Sequence, residues 1–273
     1  MQNKNIKFHK AKKSFGQNFL KSVLALNTIV EAGKVNKEDV VLEIGPGKGA
    51  LTSKLLEKAG VVIAIEKDRD LIEILEEKFK EEIEKGRFIL INNDILELNV
   101  SELSAKENFI KYKIIANIPY NITGAILKKF LTENIQPSLM VLMVQNEVAK
   151  RIVANNEGES ILSISVKAYG QPKNIMKVQK KYFSPAPKVD SAIILIDNIN
   201  KDLFTKENIN EEKFWSLVHA GFAHKRKVLI SNLKNLDKNK DWKEIFSKLN
   251  INEKIRAEEL KVENWVKLTQ SIS

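Results

Sequence analysis

The sequence contains no cysteine and only three histidines, and each shortage excludes a class of chemistry. Without cysteine there is no disulfide, no thiolate nucleophile and no Cys-ligated zinc or iron–sulfur centre. The histidines, His9, His219 and His224, lie far apart in the chain. We therefore expect no bound metal.

Long apolar segments are also missing. No apolar run reaches the ~18 residues that a membrane-spanning helix needs. The N-terminal segment MQNKNIKFHKAKKSFGQ lacks the apolar stretch of a secretory signal. With 273 residues, 43% apolar and 29% charged, the composition is that of a globular protein with one or two domains. We expect a cytoplasmic monomer with no membrane association.

Positive charge is in excess and is concentrated in two segments. The chain has 45 Lys and Arg against 35 Asp and Glu, a net charge of +10. Residues 1–30 and residues 160–189 each contain six lysines and no acidic residue. Such clustering indicates a polyanionic partner such as nucleic acid. A lysine-rich surface that is merely solvated is the alternative, and charge alone does not decide between them.

The first half of the chain alternates short β-rich apolar runs with amphipathic helical stretches. This alternation predicts a doubly wound, mostly parallel sheet of the α/β class. Strands are expected at residues 40–45, 61–65, 87–91, 113–116 and 139–144, and helices at 50–59, 68–85 and from about 147. Two further strands, at 174–178 and 192–196, are expected to flank a proline-rich loop.

The pattern changes towards the C-terminus. Residues 197–210 are polar and are interpreted as a linker, and helical patterns follow at 214–222, 228–233, 242–249 and 258–268. All three tryptophans, Trp215, Trp242 and Trp265, lie in this part. We therefore predict a first domain over residues 1–200, with a basic N-terminal arm, and a small all-helical domain over 205–273.

Polar or glycine-rich groups follow three successive strands. The segment EIGPGKG places Gly45 and Gly47 at a strand-to-helix turn, where a backbone without side chains can approach a ligand. Glu66 ends the next strand and is suited to accept hydrogen bonds from both ribose hydroxyls of a nucleoside. Asp94 follows the third strand and is suited to accept from an adenine amino group. An ordinary glycine turn, an exposed charge and an Asn-Asp turn are the structural alternatives.

The segment Asn117-Ile118-Pro119-Tyr120 ends the fourth strand. An aromatic amine is a poor nucleophile because its lone pair delocalises into the ring. The Asn117 carbonyl and a backbone carbonyl can accept both N–H bonds and direct the lone pair to an incoming methyl group. Pro119 stiffens the segment, and Tyr120 can stack on a flat base. An Asn-Pro turn with a core tyrosine is the alternative.

Two further segments are candidates with weaker signals. Phe183, in FSPAPKVDSA, can stack on the other face of an extruded base, and Lys188 can pair with a phosphate. A phenylalanine near proline is also common in a core. The segment FGQNFL precedes the first predicted strand and can act as a lid, although an apolar N-terminal helix would look similar.

Together these motifs resemble the ribosomal RNA adenine dimethyltransferases, and in particular their small-subunit (KsgA/RsmA-type) branch. The matching blocks run from Phe15 to Ala192: GQNFL, EIGPGKGALT, IEKD, the ND pair, NIPYNIT, VQNEVAKR and FSPAPKVDSA. In the C-terminal part, GFAHKRKVL and RAEEL followed by Trp265 resemble the helical-domain signature of the small-subunit branch.

The resemblance implies a Rossmann-like class I methyltransferase fold, S-adenosylmethionine as methyl donor, and two methylations on each of two adjacent adenines near the 3′ end of 16S ribosomal RNA. It also implies a part in small-subunit biogenesis. It assigns cofactor contacts to Asn18, Leu20, Gly45, Glu66, Asp94 and Asn117, with Gly47 in the same loop. It assigns the target base to Asn117, Pro119, Tyr120 and Phe183.

The helical domain is expected to bind RNA through Lys225, Arg226 and Lys227, and Lys188 adds a phosphate contact. Three other functions remain open from the residues. A non-catalytic RNA-binding or assembly factor could use the same scaffold. A nicotinamide oxidoreductase would bind NAD and has no use for NIPY. A DNA adenine methyltransferase is the nearest enzymatic alternative.

Overall fold

The computed structural model describes residues 10–154 and 158–272. His9, Lys4 and Lys7 of the basic N-terminal segment therefore lie outside the described residues. Nine strands are found there: β1 Phe19–Leu20, β2 Val40–Ile44, β3 Val61–Glu66, β4 Phe88–Asn92, β5 Lys113–Asn117, β6 Leu139–Gln145, β7 Gln171–Val178, β8 Phe183–Ser184 and β9 Ser191–Asp197.

Seven of these strands form one sheet in the order β4-β3-β2-β5-β6-β9-β7. Strands β4, β3, β2, β5 and β6 pair in parallel, and β9 pairs antiparallel with β6. The predicted doubly wound, mostly parallel sheet is confirmed. The residues of β6 from Leu139 to Val144 are all buried, as expected for a strand covered on both faces.

The helices are α1 Val23–Ala32, α2 Ala50–Lys58, α3 Arg69–Lys78, α4 Lys80–Glu84, α5 Val100–Lys106, α6 Thr123–Thr132, α7 Asn146–Val153, α8 Ile161–Lys167, α9 Asp202–Thr205, α10 Glu211–Gly221, α11 Leu229–Leu233, α12 Trp242–Lys248 and α13 Val262–Ser271. Short 3-10 turns lie at Lys13–Phe15, Tyr120–Ile122, Lys180–Tyr182 and Ala257–Glu259. No helix among residues 10–154 and 158–272 is both long enough and apolar enough to cross a membrane.

The long helix expected over residues 68–85 is two helices instead. The break falls at Phe79, whose backbone leaves the helical region at φ −114° and ψ 28°. Its ring is buried and packs edge-on against Phe88, with ring centroids 5.1 Å apart. The continuous charged pattern of residues 68–85 contains no signal for this local turn.

A second, two-stranded sheet joins distant parts of the chain. Strands β1 and β8 pair antiparallel, with Leu20 opposite Phe183 and Phe19 opposite Ser184. The pairing attaches the segment before α1 to the proline-rich loop.

The chain divides into two compact units, 1–149 with 173–199 and 150–172 with 200–273. The second unit thus contains α8, which the predicted boundary at 200–205 leaves in the first domain. Within this unit Tyr169 contacts Phe204 and stacks on Trp215, with ring centroids 5.3 and 6.3 Å apart. The residues interpreted as a linker include α9, whose Phe204 is buried.

Candidate active site

A cavity of about 200 Å³ lies in the first unit, at the carboxyl ends of β2, β3, β4 and β5. Its walls contain nine of the residues that the sequence predicts as cofactor or target-base contacts: Asn18, Leu20, Gly45, Gly47, Glu66, Asp94, Asn117, Pro119 and Tyr120. We call it the strand-end cavity. The prediction that successive strand ends converge on one crevice agrees with this placement.

The glycine turn after β2 adopts a backbone conformation that other residues rarely adopt. Gly45, Gly47 and Gly49 have φ angles of +64°, +59° and +71°. A Cβ atom on Gly47 would lie 3.0 Å from the Phe19 ring, and one on Gly49 would lie 2.4 Å from the Phe79 ring. A Cβ atom on Gly45 would meet nothing within 4 Å. The turn therefore presents open backbone at Gly45, and this fits a ligand placed against the main chain.

Glu66 ends β3 and is buried, and its carboxylate is held from two sides. Oε2 accepts a hydrogen bond from the Gly47 N–H at 3.3 Å, and Oε1 accepts from the Asp68 N–H at 2.9 Å. Burial raises the pKa of this carboxyl, while the bonds from Asp68 and Gly47 oppose that shift. A buried carboxylate fixed by backbone donors at a cavity wall can accept a pair of hydroxyl donors in a defined orientation.

Glu43 is a cavity residue that the sequence reasoning did not single out. It is 1% exposed, and Oε2 accepts a hydrogen bond from Thr52 Oγ1 at 2.7 Å. Burial is the main cause that raises its pKa to about 8, and the charge of Glu66 adds to the shift. The signal was present, since a single charged residue interrupts the apolar strand VVLEI. The cavity therefore contains a carboxyl that is predominantly protonated at neutral pH.

Asp94 lies just after β4 and has an exposed counterion. Lys67 Nζ is 2.6 Å from Asp94 Oδ2, and Oδ1 accepts from the Leu96 N–H at 2.9 Å. The Lys67 contact is the main cause that lowers the pKa of Asp94. Asp94 is thus an ionised acceptor in the cavity wall, suited to an amino group.

Asn117 ends β5 and is oriented by the N-terminal segment. Its Nδ2 donates to the backbone carbonyl of Asn18 at 3.1 Å. Because the amide nitrogen is bound there, the side-chain oxygen is the group that Asn117 can present as an acceptor. The same contact ties Asn18, which the resemblance assigns to the cofactor, to Asn117, which it assigns to both cofactor and target base.

The two residues that follow are held in place by independent means. Pro119 has φ −60° and ψ 131°, which is extended backbone before a 3-10 turn. The Tyr120 hydroxyl is 2.5 Å from Oγ of Ser191, a fully buried residue that starts β9. Burial raises the pKa of Tyr120, so its phenol stays protonated at neutral pH. The ring is therefore a neutral aromatic surface in the cavity wall.

Phe183 is not among the residues that line the cavity. Its side chain is 3% exposed and belongs to the apolar core, and its strand β8 pairs with β1 beside Leu20, which does line the cavity. The core alternative stated for Phe183 describes its position in this structure. Stacking on a base stays a prediction, and it requires the side chain to leave that core position.

The cations predicted to bind RNA are exposed. Lys188 lies on the loop between β8 and β9 in the first unit. Lys225, Arg226 and Lys227 lie between α10 and α11 in the second unit. In the described part of the chain, none of the four has an ion pair with an acidic side chain. They are placed to contact a polyanion, and their role stays a prediction.

Residues 10–154 and 158–272 contain no group of three or more histidine, aspartate and glutamate side chains arranged to hold a metal ion.

Comparisons with known proteins show the family to which this chain belongs. The family model described as ribosomal RNA adenine dimethylase matches residues 8–273. The chain is 43% identical over 263 residues to ribosomal RNA small subunit methyltransferase A of Dehalococcoides mccartyi, covering 95% of this chain and 87% of that protein. It is 39% identical to the protein of the same name from Mycoplasma mycoides, covering 95% and 96%.

Solved structures support the fold. A dimethyladenosine transferase from Plasmodium falciparum is similar with a TM-score of 0.76 and 28% identity, covering 93% of this chain and 97% of that chain. The 23S rRNA methyltransferase ErmE has a TM-score of 0.73 at 22% identity, covering 93% and 98%, and shows the fold alone. The predicted class I methyltransferase fold and the predicted family are confirmed. The chain belongs to the ribosomal RNA adenine dimethylase family.

Proposed function

We propose that this protein transfers methyl groups to the exocyclic amines of two adjacent adenines near the 3′ end of 16S ribosomal RNA, two on each, within the small ribosomal subunit. Membership of the family makes it an S-adenosylmethionine-dependent rRNA adenine dimethyltransferase. The observation that carries the proposal is the position of Asn117, Pro119 and Tyr120 in the same cavity as the glycine turn and Glu66.

The cavity residues fit S-adenosylmethionine. We assign the ribose hydroxyls to Glu66 and the adenine amino group to Asp94. We assign the remainder of the donor to the glycine turn, whose backbone is open at Gly45 and in which Gly47 also lines the cavity. Asn18 and Leu20 close the site from the N-terminal side. When bound, this cofactor supplies a methyl group on a sulfonium centre.

The residues of the chain prepare the target amine. Asn117 Oδ1 and a backbone carbonyl of the NIPY segment accept hydrogen bonds from the two N–H groups of the adenine amine, so that its lone pair is localised on the nitrogen and directed at the incoming methyl group. Tyr120 provides the stacking surface that holds the base. In the proposed transfer the new N–C bond would form in line with the breaking C–S bond of the sulfonium, the donor would leave as a thioether, and the methylated amine would release one proton to water. Such a displacement depends on positioning and lone-pair control, and it requires neither a metal nor a strong base.

The small-subunit substrate is proposed on two grounds. The relatives at about 40% identity are named ribosomal RNA small subunit methyltransferase A, and exposed cations lie in both units. We assign Lys188 to phosphate contacts near the target and Lys225, Arg226 and Lys227 to structured RNA away from it. We also propose that the protein acts as a monomer in the cytoplasm, where small subunits are assembled, and takes part in their biogenesis.

The decisive experiment compares three substrates side by side: unmethylated small subunits, large subunits and duplex DNA, each with labelled S-adenosylmethionine. We expect label only in the small-subunit RNA. Label in large-subunit RNA would move the chain to the antibiotic-resistance branch of the family, and label in DNA would make it a DNA adenine methyltransferase. Small-subunit binding without any label would indicate an assembly factor that has lost catalysis.

A further inference from the structure

We propose that Lys12, Gln17 and Asp68 form a latch that holds the N-terminal segment against the strand-end cavity, and that this latch sets how tightly and how long the methyl donor is retained. The inference rests on the proposed function, since it takes the cavity to bind S-adenosylmethionine. It makes Asp68 a positioning residue that does not itself touch the cofactor.

Asp68 is a buried carboxylate bound by two side chains of the N-terminal segment. It is 1% exposed. Lys12 Nζ lies 2.6 Å from its Oδ1, and Gln17 Nε2 donates to its Oδ2 at 2.8 Å. A buried carboxylate is stable only where such donors compensate for lost hydration. Releasing the N-terminal segment would remove these two side-chain donors, while the Asp70 N–H at the start of α3 would still donate to Oδ1 at 3.2 Å. The carboxylate therefore favours the attached state.

The two donors belong to one folded piece of chain. The Lys12 N–H donates to Gln17 Oε1 at 2.8 Å, and a 3-10 turn over Lys13–Phe15 lies between them. Gly16 follows with φ +63°, the left-handed conformation that turns the chain towards Gln17. Lys12 and Gln17 therefore approach Asp68 together, as a closed loop rather than as two independent contacts.

Asp68 also reaches the cofactor side of the site. Its N–H donates to Glu66 Oε1 at 2.9 Å, the carboxylate assigned to the ribose. On the other side of the latch, Gln17 and Asn18 line the cavity, and the Asn18 carbonyl accepts from Asn117. One short network thus joins the N-terminal segment to the ribose-binding carboxylate and to the asparagine that binds the target amine.

This arrangement links attachment of the segment to occupancy of the cavity. Because residues 14–20 form part of the wall, a cofactor in the cavity contacts the segment only when the latch is closed. By reciprocity, a closed latch strengthens cofactor binding by the same factor by which the cofactor strengthens the latch. Weakening the latch should therefore accelerate cofactor release more than it slows cofactor entry.

Lys12 and Lys13 look equivalent in sequence, but only Lys12 takes part in the latch. Lys12 contacts Asp70 at 2.8 Å as well as Asp68, and hydrogen bonds to these two carboxylates raise its pKa. Its charge is compensated within the protein. Lys13 is exposed and has no acidic partner among the residues that the structure describes. Lys12→Met and Lys13→Met remove the same charge from the same segment, and only the first removes the latch.

The test measures S-adenosylmethionine affinity by calorimetry and its dissociation rate by stopped flow, without RNA. For Lys12→Met we expect roughly tenfold weaker binding, the scale of one charged hydrogen bond, with most of the change in the dissociation rate. Chymotrypsin cleavage at Phe15 should be faster and less well suppressed by the cofactor. Lys13→Met should match the wild type in all three measurements, and Lys12→Arg should recover most of the affinity.

A double-mutant cycle with Asp68→Asn tests the pairing itself. The double variant Lys12→Met with Asp68→Asn should lose little more affinity than either single variant, at an unchanged melting temperature. Losses that multiply to roughly a hundredfold, or equal losses in Lys12→Met and Lys13→Met, would overturn the latch. Wild-type protein that binds no S-adenosylmethionine would instead overturn the proposed function, so the two failures are distinguishable.

Discussion

Charged side chains are buried at the strand-end cavity of the first unit but exposed in the cation cluster of the second unit, which consists of Lys225, Arg226 and Lys227. Glu43 and Glu66 in the cavity wall, and Asp68 beside it, are buried and bound by specific donors at fixed distances. The cluster is exposed and has no acidic partner in the described part of the chain. Buried carboxyl groups select a ligand by the geometry of its donors, and their protonation depends on pH. Exposed cations bind phosphate groups with little geometric selectivity, and the affinity falls as the salt concentration rises. These properties fit our proposal that the first unit carries the chemistry and that the second unit attaches RNA.

The largest effect is expected from Asn117→Ala. The protein should fold and bind the small subunit, but single-turnover methyl transfer should fall by about 10²–10³, the scale for removing one fixed hydrogen-bonding group at a reacting centre. A modest loss of cofactor affinity should accompany it. Single-turnover rates equal to those of the wild type would contradict the proposal that methyl transfer takes place in this cavity.

Glu43 should make the stability of the first unit depend on pH. Its pKa in the folded protein is about 8, raised above the ordinary value of 4.5. The stabilisation is therefore fully present below about pH 4.5 and is lost as the pH rises through 8. Between pH 5 and pH 9 the free energy of unfolding should fall by about 2–4 kcal/mol from this group.

Glu43→Gln is the matched control, because the amide can still accept from Thr52 and cannot ionise. Chemical unfolding at a series of pH values should show a flatter profile for this variant than for the wild type. Parallel profiles would show that Glu43 does not ionise in this range.

Glu66→Ala should weaken S-adenosylmethionine binding by about 1–3 kcal/mol, because the ribose hydroxyls lose a charged acceptor. Binding to the small subunit in the absence of cofactor should not change. This result would show that cofactor binding at the cavity and RNA binding at the cation cluster are independent. Calorimetry that shows no loss of cofactor affinity would remove the ribose assignment.

The smallest effect is expected from neutralising Lys225, Arg226 and Lys227 together. Subunit binding should weaken roughly tenfold at low salt, and the slope of log affinity against log salt should flatten by about 2–3. Cofactor affinity should not change. Unchanged subunit affinity and slope would show that these cations are a solvated surface and that they do not attach RNA.

Local patterns were sufficient to predict most of the cavity. In a parallel sheet the carboxyl ends of the strands share one edge, so Gly45, Glu66, Asp94 and Asn117 could be placed together from four separate motifs. The apolar runs before these motifs are short, and they could therefore be predicted as β-strands. The family resemblance added Asn18 and Leu20, whose positions in the cavity wall no composition or periodicity indicated.

The features that local sequence patterns left undecided depend on distant contacts. Phe183 is buried because β8 pairs with β1, more than a hundred residues earlier in the chain. Residues 150–172 group with the helical unit because Tyr169 packs on Phe204 and Trp215. The contact of Lys12 with Asp68 joins two charges that each resemble ordinary surface residues in sequence. No local pattern encodes a pairing of that kind.

In the proposed function, the strand-end cavity dimethylates two adjacent adenines of the small-subunit RNA. The most direct test of this function is mass spectrometry of nuclease fragments from unmethylated small subunits incubated with the protein and S-adenosylmethionine. We expect two neighbouring N6-dimethyladenosines near the 3′ end of 16S RNA, and none with Asn117→Ala. Unmodified RNA at that position with the wild-type protein, or methylation confined to another nucleotide, would contradict the proposed function.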